Sequence, residues 1–129
     1  MRRAGTLLIC LCGILAIAPL GCSANREHDR LPVTLRVDFG PVGKPAYEGA
    51  LMVDAGSTPK DLVSVAFPIQ SGSICCNTRE VSAIDGVRTE PARNRWWTCR
   101  LNGSARVSPH RTPLHRGDRV EWMFVEQPQ

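Results

Sequence analysis

The sequence predicts an α+β domain: two strands, one short helix, then three or so further strands, with the helix lying over a mixed sheet. Three observations carry this reading. Apolar and polar residues alternate in "VTLRVDF", Val33 to Phe39, and in "RVEWMFV", Arg119 to Val125, the period of a half-buried strand. A helix start stands at Thr58-Pro59, between the strand patterns. Turn signals bound the remaining apolar segments, and no repeat or low-complexity tract interrupts them.

In the first strand, Val33, Leu35, Val37 and Phe39 face one way and Thr34, Arg36 and Asp38 the other. "GPVGKP", Gly40 to Pro45, is loop punctuation. "YEGALMVDAG", Tyr47 to Gly56, forms a second strand with Leu51 and Val53 inward. Thr58 then serves as N-cap, Pro59 suits the first helical position, and Asp61 meets the free amides of the first turn. Leu62, Val63 and Ala66 make one narrow apolar face, and Pro68 holds the helix to about two turns.

"QSGSICCNTR", Gln70 to Arg79, reads as a loop or short edge segment, and "EVSAIDG", Glu80 to Gly86, as a third strand ending in an Asp-Gly turn. "RTEPARN", Arg88 to Asn94, is a polar connection. In "WWTCRL", alternation puts Trp97, Cys99 and Leu101 on one face and Trp96, Thr98 and Arg100 on the other. Asn102-Gly103 signals a type I′ hairpin turn, with a short return strand expected at Ala105 to Val107. After the turn-rich stretch from Ser108 to Asp118, the last strand turns Val120, Trp122 and Phe124 to one side.

The N-terminus reads as an address. Arg2 and Arg3 precede the apolar run Thr6 to Ala18, the layout of a secretory signal. The run falls short of the roughly 17–25 residues of a membrane-spanning helix. "PLGC", Pro19 to Cys22, resembles the lipobox of bacterial lipoproteins, with Pro19 where leucine is usual. That resemblance implies a diacylglycerol on the Cys22 sulfur, cleavage before Cys22, and acyl chains that hold the protein to a membrane. Cleavage after Ala16-Ile17-Ala18 is the alternative, and would leave Pro19 next to the scissile bond. Residues 1–21 are thus expected to be a signal peptide and 22–31 a polar tether, with the protein on the extracytoplasmic face of a cell membrane or outer membrane.

Charge excludes one class of partner. The precursor carries +4 and loses Arg2 and Arg3 with the signal, leaving too little excess for nucleic acid binding. The distribution is uneven: Arg88, Arg93, Arg95, Arg100, Arg106, Arg111, Arg116 and Arg119 face only Glu90 and Asp118 within residues 88–119. Such a cluster is either a solvated face or an attractor for anionic ligands, lipid headgroups or an acidic partner.

The segments "VTLRVDFG", "AGSTPKDLV", "SAIDGV", "WWTCRLNG" and "LHRGDRVEWMF", in this order, resemble the small β-grasp domain that forms the C-terminal part of transcobalamin-like proteins. The resemblance spans residues 32–126. It implies an ubiquitin-like β-grasp fold, a mixed sheet with one short helix packed across it. In the vitamin-carrying branch this domain is one of two that clamp a corrinoid. The other, an α-helical barrel, has no counterpart in this sequence, so a corrinoid is the alternative ligand rather than the first.

Cysteine usage points outside the cytoplasm. Cys10 and Cys12 leave with the signal and Cys22 takes the lipid, so Cys75, Cys76 and Cys99 remain. A disulfide from Cys99 to Cys75 or Cys76 is expected; it closes a loop whose entropy corresponds to about 3.5 kcal/mol. No Ser-His-Asp order, paired carboxylates or phosphate loop stands out, and the thiols with His110 and His115 match no metal-ligand spacing. The expectation is a binding module without catalytic activity, cofactor or metal. Trp97 and Trp122 read as core anchors. Trp96 points to the face of Arg100. There it either stacks on an arginine or forms, with Arg95 and Arg100, a platform for an envelope protein or a small anionic or planar ligand.

Overall fold

The computed structural model describes residues 29–72 and 80–128. The expected signal peptide and the lipid acceptor Cys22 lie outside them, as do Cys75 and Cys76. Strand β1 (Arg30–Asp38) is followed by β2 (Tyr47–Asp54), α1 (Pro59–Ala66), β3 (Ile69–Ser71), β4 (Val81–Ile84), β5 (Val87–Arg88), β6 (Arg95–Leu101) and β7 (Arg119–Glu126). This is a mixed α+β architecture. One sheet has the order β2-β1-β7-β6, and a smaller one the order β3-β4-β5.

The larger sheet is mixed because β1 and β7 run parallel at its centre while β2 and β6 flank them antiparallel. Its register sets the core. Leu35 lies opposite Val120 and Val37 opposite Trp122, and Trp122 in turn lies opposite Cys99. Alternation puts all of these on one face, where Val33, Leu35, Val37, Phe39, Val120, Trp122 and Phe124 are each at least 98% buried.

The opposite face carries charge. Arg36, Glu48, Arg119 and Glu121 meet there across β1, β2 and β7, through contacts of 3.6 Å (Arg36–Glu48), 2.8 Å (Arg119–Glu48) and 3.1 Å (Arg119–Glu121).

The helix begins where Thr58 and Asp61 predict. The Thr58 side chain accepts from the Asp61 amide at 3.3 Å, and the Asp61 carboxylate accepts from the Thr58 amide at 2.9 Å, the reciprocal capping box. Leu62 and Val63 are fully buried in the core. Phe67, just before Pro68, adopts extended backbone and ends the helix. The Trp122 indole N–H donates to the Pro59 carbonyl at 3.2 Å, pinning the start of α1 to β7.

The turn after β1 depends on one glycine. Gly40 has φ +49°, and a Cβ there would run into the Phe124 carbonyl. Any other residue is therefore both strained and obstructed.

Two sequence expectations change. The single sheet with three or so late strands becomes two sheets, because β3 and β5 are only three and two residues long, too short to show a period. The return strand at Ala105 to Val107 does not form: pairing beyond the Asn102-Gly103 turn stops at a single Leu101–Ser104 bridge. The chain is drawn off instead, because the Lys60 amide donates to the Pro109 carbonyl at 2.9 Å and the Leu114 amide to the Ser57 carbonyl at 2.8 Å.

Candidate functional site

Losing that return strand creates the site. A cleft of about 760 Å³ lies beside β6, lined by Trp96, Trp97, Thr98 and Cys99 on one side. Val81, Ser82 and Thr89, from β4 and the end of β5, also line it. Val107 to His110 and Trp122 complete most of the wall. The volume falls within the roughly 300–1,000 Å³ of small-molecule sites.

The cleft opens on main chain as well as side chains. Arg95 exchanges both backbone hydrogen bonds with Glu90 at 2.9 and 3.1 Å, and Leu101 both with Ser104 at 3.0 and 2.9 Å, on the edge of β6 away from β7. In an antiparallel ladder alternate residues point the same way, so Trp97 and Cys99 direct their N–H and C=O groups to that edge too. Among the described residues no backbone hydrogen bond engages them there. Two bridges therefore bracket a stretch of the β6 edge that is unpaired among the described residues.

The tryptophans divide the labour. Trp97, 9% exposed, donates its indole N–H to the Val87 carbonyl at 2.8 Å and packs edge-on to Phe39 with centroids 5.7 Å apart. It is cleft floor and core at once. Trp96 is 36% exposed and donates to the Asn94 side-chain oxygen at 3.0 Å, which fixes its ring at the cleft rim.

The arginines expected beside Trp96 go elsewhere. Arg95 bonds to Glu126 at 2.9 Å and approaches Glu90 at 3.7 Å, so its guanidinium is already neutralised. Arg100 is exposed and lines no part of the cleft. The cation–π contact present among the described residues is Lys44 over Phe39 at 4.8 Å, so Trp96 and Arg100 do not stack. Of the three expected binding residues, only Trp96 stands in the cleft.

Among the described residues Cys99 is a free thiol in a buried position, and burial pushes its pKa up to about 12. Such a thiol is a poor nucleophile at neutral pH. Its expected disulfide partners lie outside the described residues. His110 lines the cleft, while the exposed His115 approaches Asp118 at 3.8 Å, away from it. Among the described residues no three His, Cys, Asp or Glu side chains converge on one point.

Of the residues that line the cleft, the sequence singles out Trp96 as a binding candidate but not Ser82, Thr89 or the Val107–His110 wall. Asn102-Gly103 was a correct turn signal, with positive φ of 50° and 81°, and it suggested a strand where the wall stands. The misleading signal and the missed site are the same feature.

Comparison with known proteins places the fold. No family model matches the chain, and no curated protein matches it in sequence. Among solved structures it is similar to a protein from Ruminococcus gnavus described as a "putative metal binding protein". That likeness has a TM-score of 0.57 at 20% identity, over 76% of this chain and 99% of the other. It is also similar to haptocorrin in complex with Cbi, with a TM-score of 0.61 at 14% identity over 75% of this chain. The chain spans about a quarter of the haptocorrin chain, 25%.

Proposed function

We propose that this chain is a binding module without catalytic activity, anchored by a lipid on Cys22 and displayed outside the cytoplasmic membrane. Its ligand or partner enters the β6 cleft. The observation that carries the reading is the cleft itself, lined by Trp96, Trp97 and Trp122 along a strand edge that is open among the described residues. An aromatic rim beside main-chain groups unpaired among the described residues supplies both contact area and directed hydrogen bonds. The likeness to haptocorrin supports the finer β-grasp reading: the first and last strands pair parallel at the sheet centre and the helix follows the first hairpin. An envelope protein or a small planar or anionic ligand fits the site's chemistry.

The test uses anilinonaphthalene sulfonate, a planar anion that fluoresces on leaving water. Saturable binding at one site, lost in Ser82→Phe, which fills the cleft, is the expected result. Binding that is absent, or indifferent to that substitution in a protein that still unfolds cooperatively, overturns the assignment.

A corrinoid is the second reading, favoured by the haptocorrin likeness. Titration with cyanocobalamin, read as tryptophan quenching with a Trp96→Ala control and corrected for absorption by the ligand, decides it. An absence of saturation up to about millimolar ligand sets binding weaker than about −4 kcal/mol and ends that reading for the isolated chain.

A further inference from the structure

We infer that the loop between β6 and β7 rests on an anionic lipid surface, whose phospholipid headgroups meet Arg106, Arg111 and Arg116. This rests on the reading of Cys22 as a lipid anchor, and adds which end of the fold turns to the membrane. Two independent observations lead to it.

The first is topology. The chain enters the described fold at Asp29, whose carbonyl accepts from the Ala55 amide just beyond β2. The loop after β6 closes over the same end of the sheet. Its Gly117 amide donates to the Pro32 carbonyl at 2.8 Å, and its Asp118 carbonyl accepts from the Thr34 amide at 2.9 Å. The Leu114 amide donates to the Ser57 carbonyl and the Lys60 amide to the Pro109 carbonyl, so the loop spans from the start of β1 to the start of α1. Cys22 and Asp29 stand seven residues apart, a reach of at most about 25 Å when fully extended. A lipid on Cys22 keeps this end within that distance of the bilayer, while Gly40–Val42 lies a nine-residue strand further along the fold.

The second observation is charge. Arg106, Arg111 and Arg116 are exposed, and among the described residues none of their side chains enters an ion pair or a hydrogen bond. The loop holds one carboxylate, Asp118. It is 13% exposed and already accepts from the Asn102 side chain at 2.9 Å and the His115 amide at 2.7 Å. Nearby, Asp54 is approached by Arg30 at 3.9 Å, Asp61 is held by Thr58, and Arg119 is balanced by Glu48 and Glu121. That leaves Asp29 against the three arginines. At the far end the charges are paired, Lys44 with Asp85 and Arg93 and Arg95 with Glu90 and Glu126. Basic residues beside a lipid anchor are drawn to an anionic leaflet, and a guanidinium donates in parallel to two phosphate oxygens.

The experiment takes the protein from membranes of cells making the whole precursor, and reads acyl chains on Cys22 from its intact mass. The protein is then placed in vesicles of phosphatidylcholine, with or without the anionic phosphatidylglycerol. It is treated with p-hydroxyphenylglyoxal, a water-soluble arginine reagent, and each residue is followed by peptide mass spectrometry. Phosphatidylglycerol should slow modification of Arg106, Arg111 and Arg116 about fivefold, the factor matching the pull of an anionic surface on one arginine. Arg88 on β5 and Arg93 before β6 should react as before, and molar salt should remove the protection. Acylated protein with equal rates in both vesicles overturns the lipid contact and leaves the anchor standing. Equal slowing of all five arginines also overturns it, because no one face is then docked. The same protection from inorganic phosphate in phosphatidylcholine vesicles replaces the lipid surface with a simple anion site. A mass without acyl chains removes the anchor reading, and the docked orientation with it.

Discussion

The indole N–H of Trp97 donates to the main-chain carbonyl of Val87 at 2.8 Å, so one hydrogen bond joins β6 of the larger sheet to β5 of the smaller beneath the cleft. The same ring packs against Phe39 and, at 5.2 Å, against Phe124. Trp97→Phe keeps most of the packing but strands the Val87 acceptor, and should cost about 1–3 kcal/mol. Trp97→Ala also opens a cavity and should cost about 3–5 kcal/mol. Urea unfolding midpoints separate the two. A Trp97→Phe protein as stable as the parent would show that the bond between the sheets contributes nothing.

The capping box at α1 makes a local prediction. Thr58 and Asp61 satisfy each other's amides, and a helix of eight residues is too short to persist without its packing and caps. Thr58→Ala should destabilise by about 0.5–2 kcal/mol, and the pair Thr58→Ala with Asp61→Ala by less than the sum of the single losses. Strict additivity in a double-mutant cycle would mean that the two side chains do not act together.

Legibility followed the length of the pattern. β1 and β7 could be read because four and three inward apolar residues repeat along them, and every one of these is buried. The helix could be read because capping is local chemistry, set by Thr58, Pro59 and Asp61 alone. β3 and β5 were hidden, since two or three residues hold no period and their pairing is decided by β4 between them. The cleft was half visible. Alternation exposed Trp96 correctly, but the partners of Arg95 come from residues 90 and 126, a pairing that needs the sheet register. The wall from Val107 to His110 depends on Pro109 bonding to Lys60 across the fold, which no nearby sequence feature announces.

Cys99 predicts an alkaline dependence. Burial raises its folded-state pKa from an ordinary 9.0 to about 12, so folding favours the protonated thiol. The associated stability is fully present below pH 9.0 and is lost as pH climbs towards 12. Under reducing conditions, the parent should lose stability relative to Cys99→Ala over that window, with a slope of up to about 1.4 kcal/mol per pH unit. Thiol reagents at neutral pH should modify Cys99 only on unfolding. A constant difference between the two proteins, or rapid labelling of the native one, would remove the buried thiol from the account.

The opposite face of the sheet predicts an acid dependence of the reverse sign. Arg119, bonded to Glu48 at 2.8 Å across β1, lowers the Glu48 pKa chiefly through that hydrogen bond and its charge, with Arg36 adding to the effect. The folded state therefore favours the carboxylate. Its contribution is present above the ordinary glutamate range and fades as pH falls through the lowered folded value. Both side chains stand in solvent, so the effect is small and screened by salt. Glu48→Gln should destabilise at neutral pH and low ionic strength, and its midpoint should converge with the parent's in acid and in molar salt. A difference that persists unchanged in strong acid would show that Glu48 acts through packing and not through its charge.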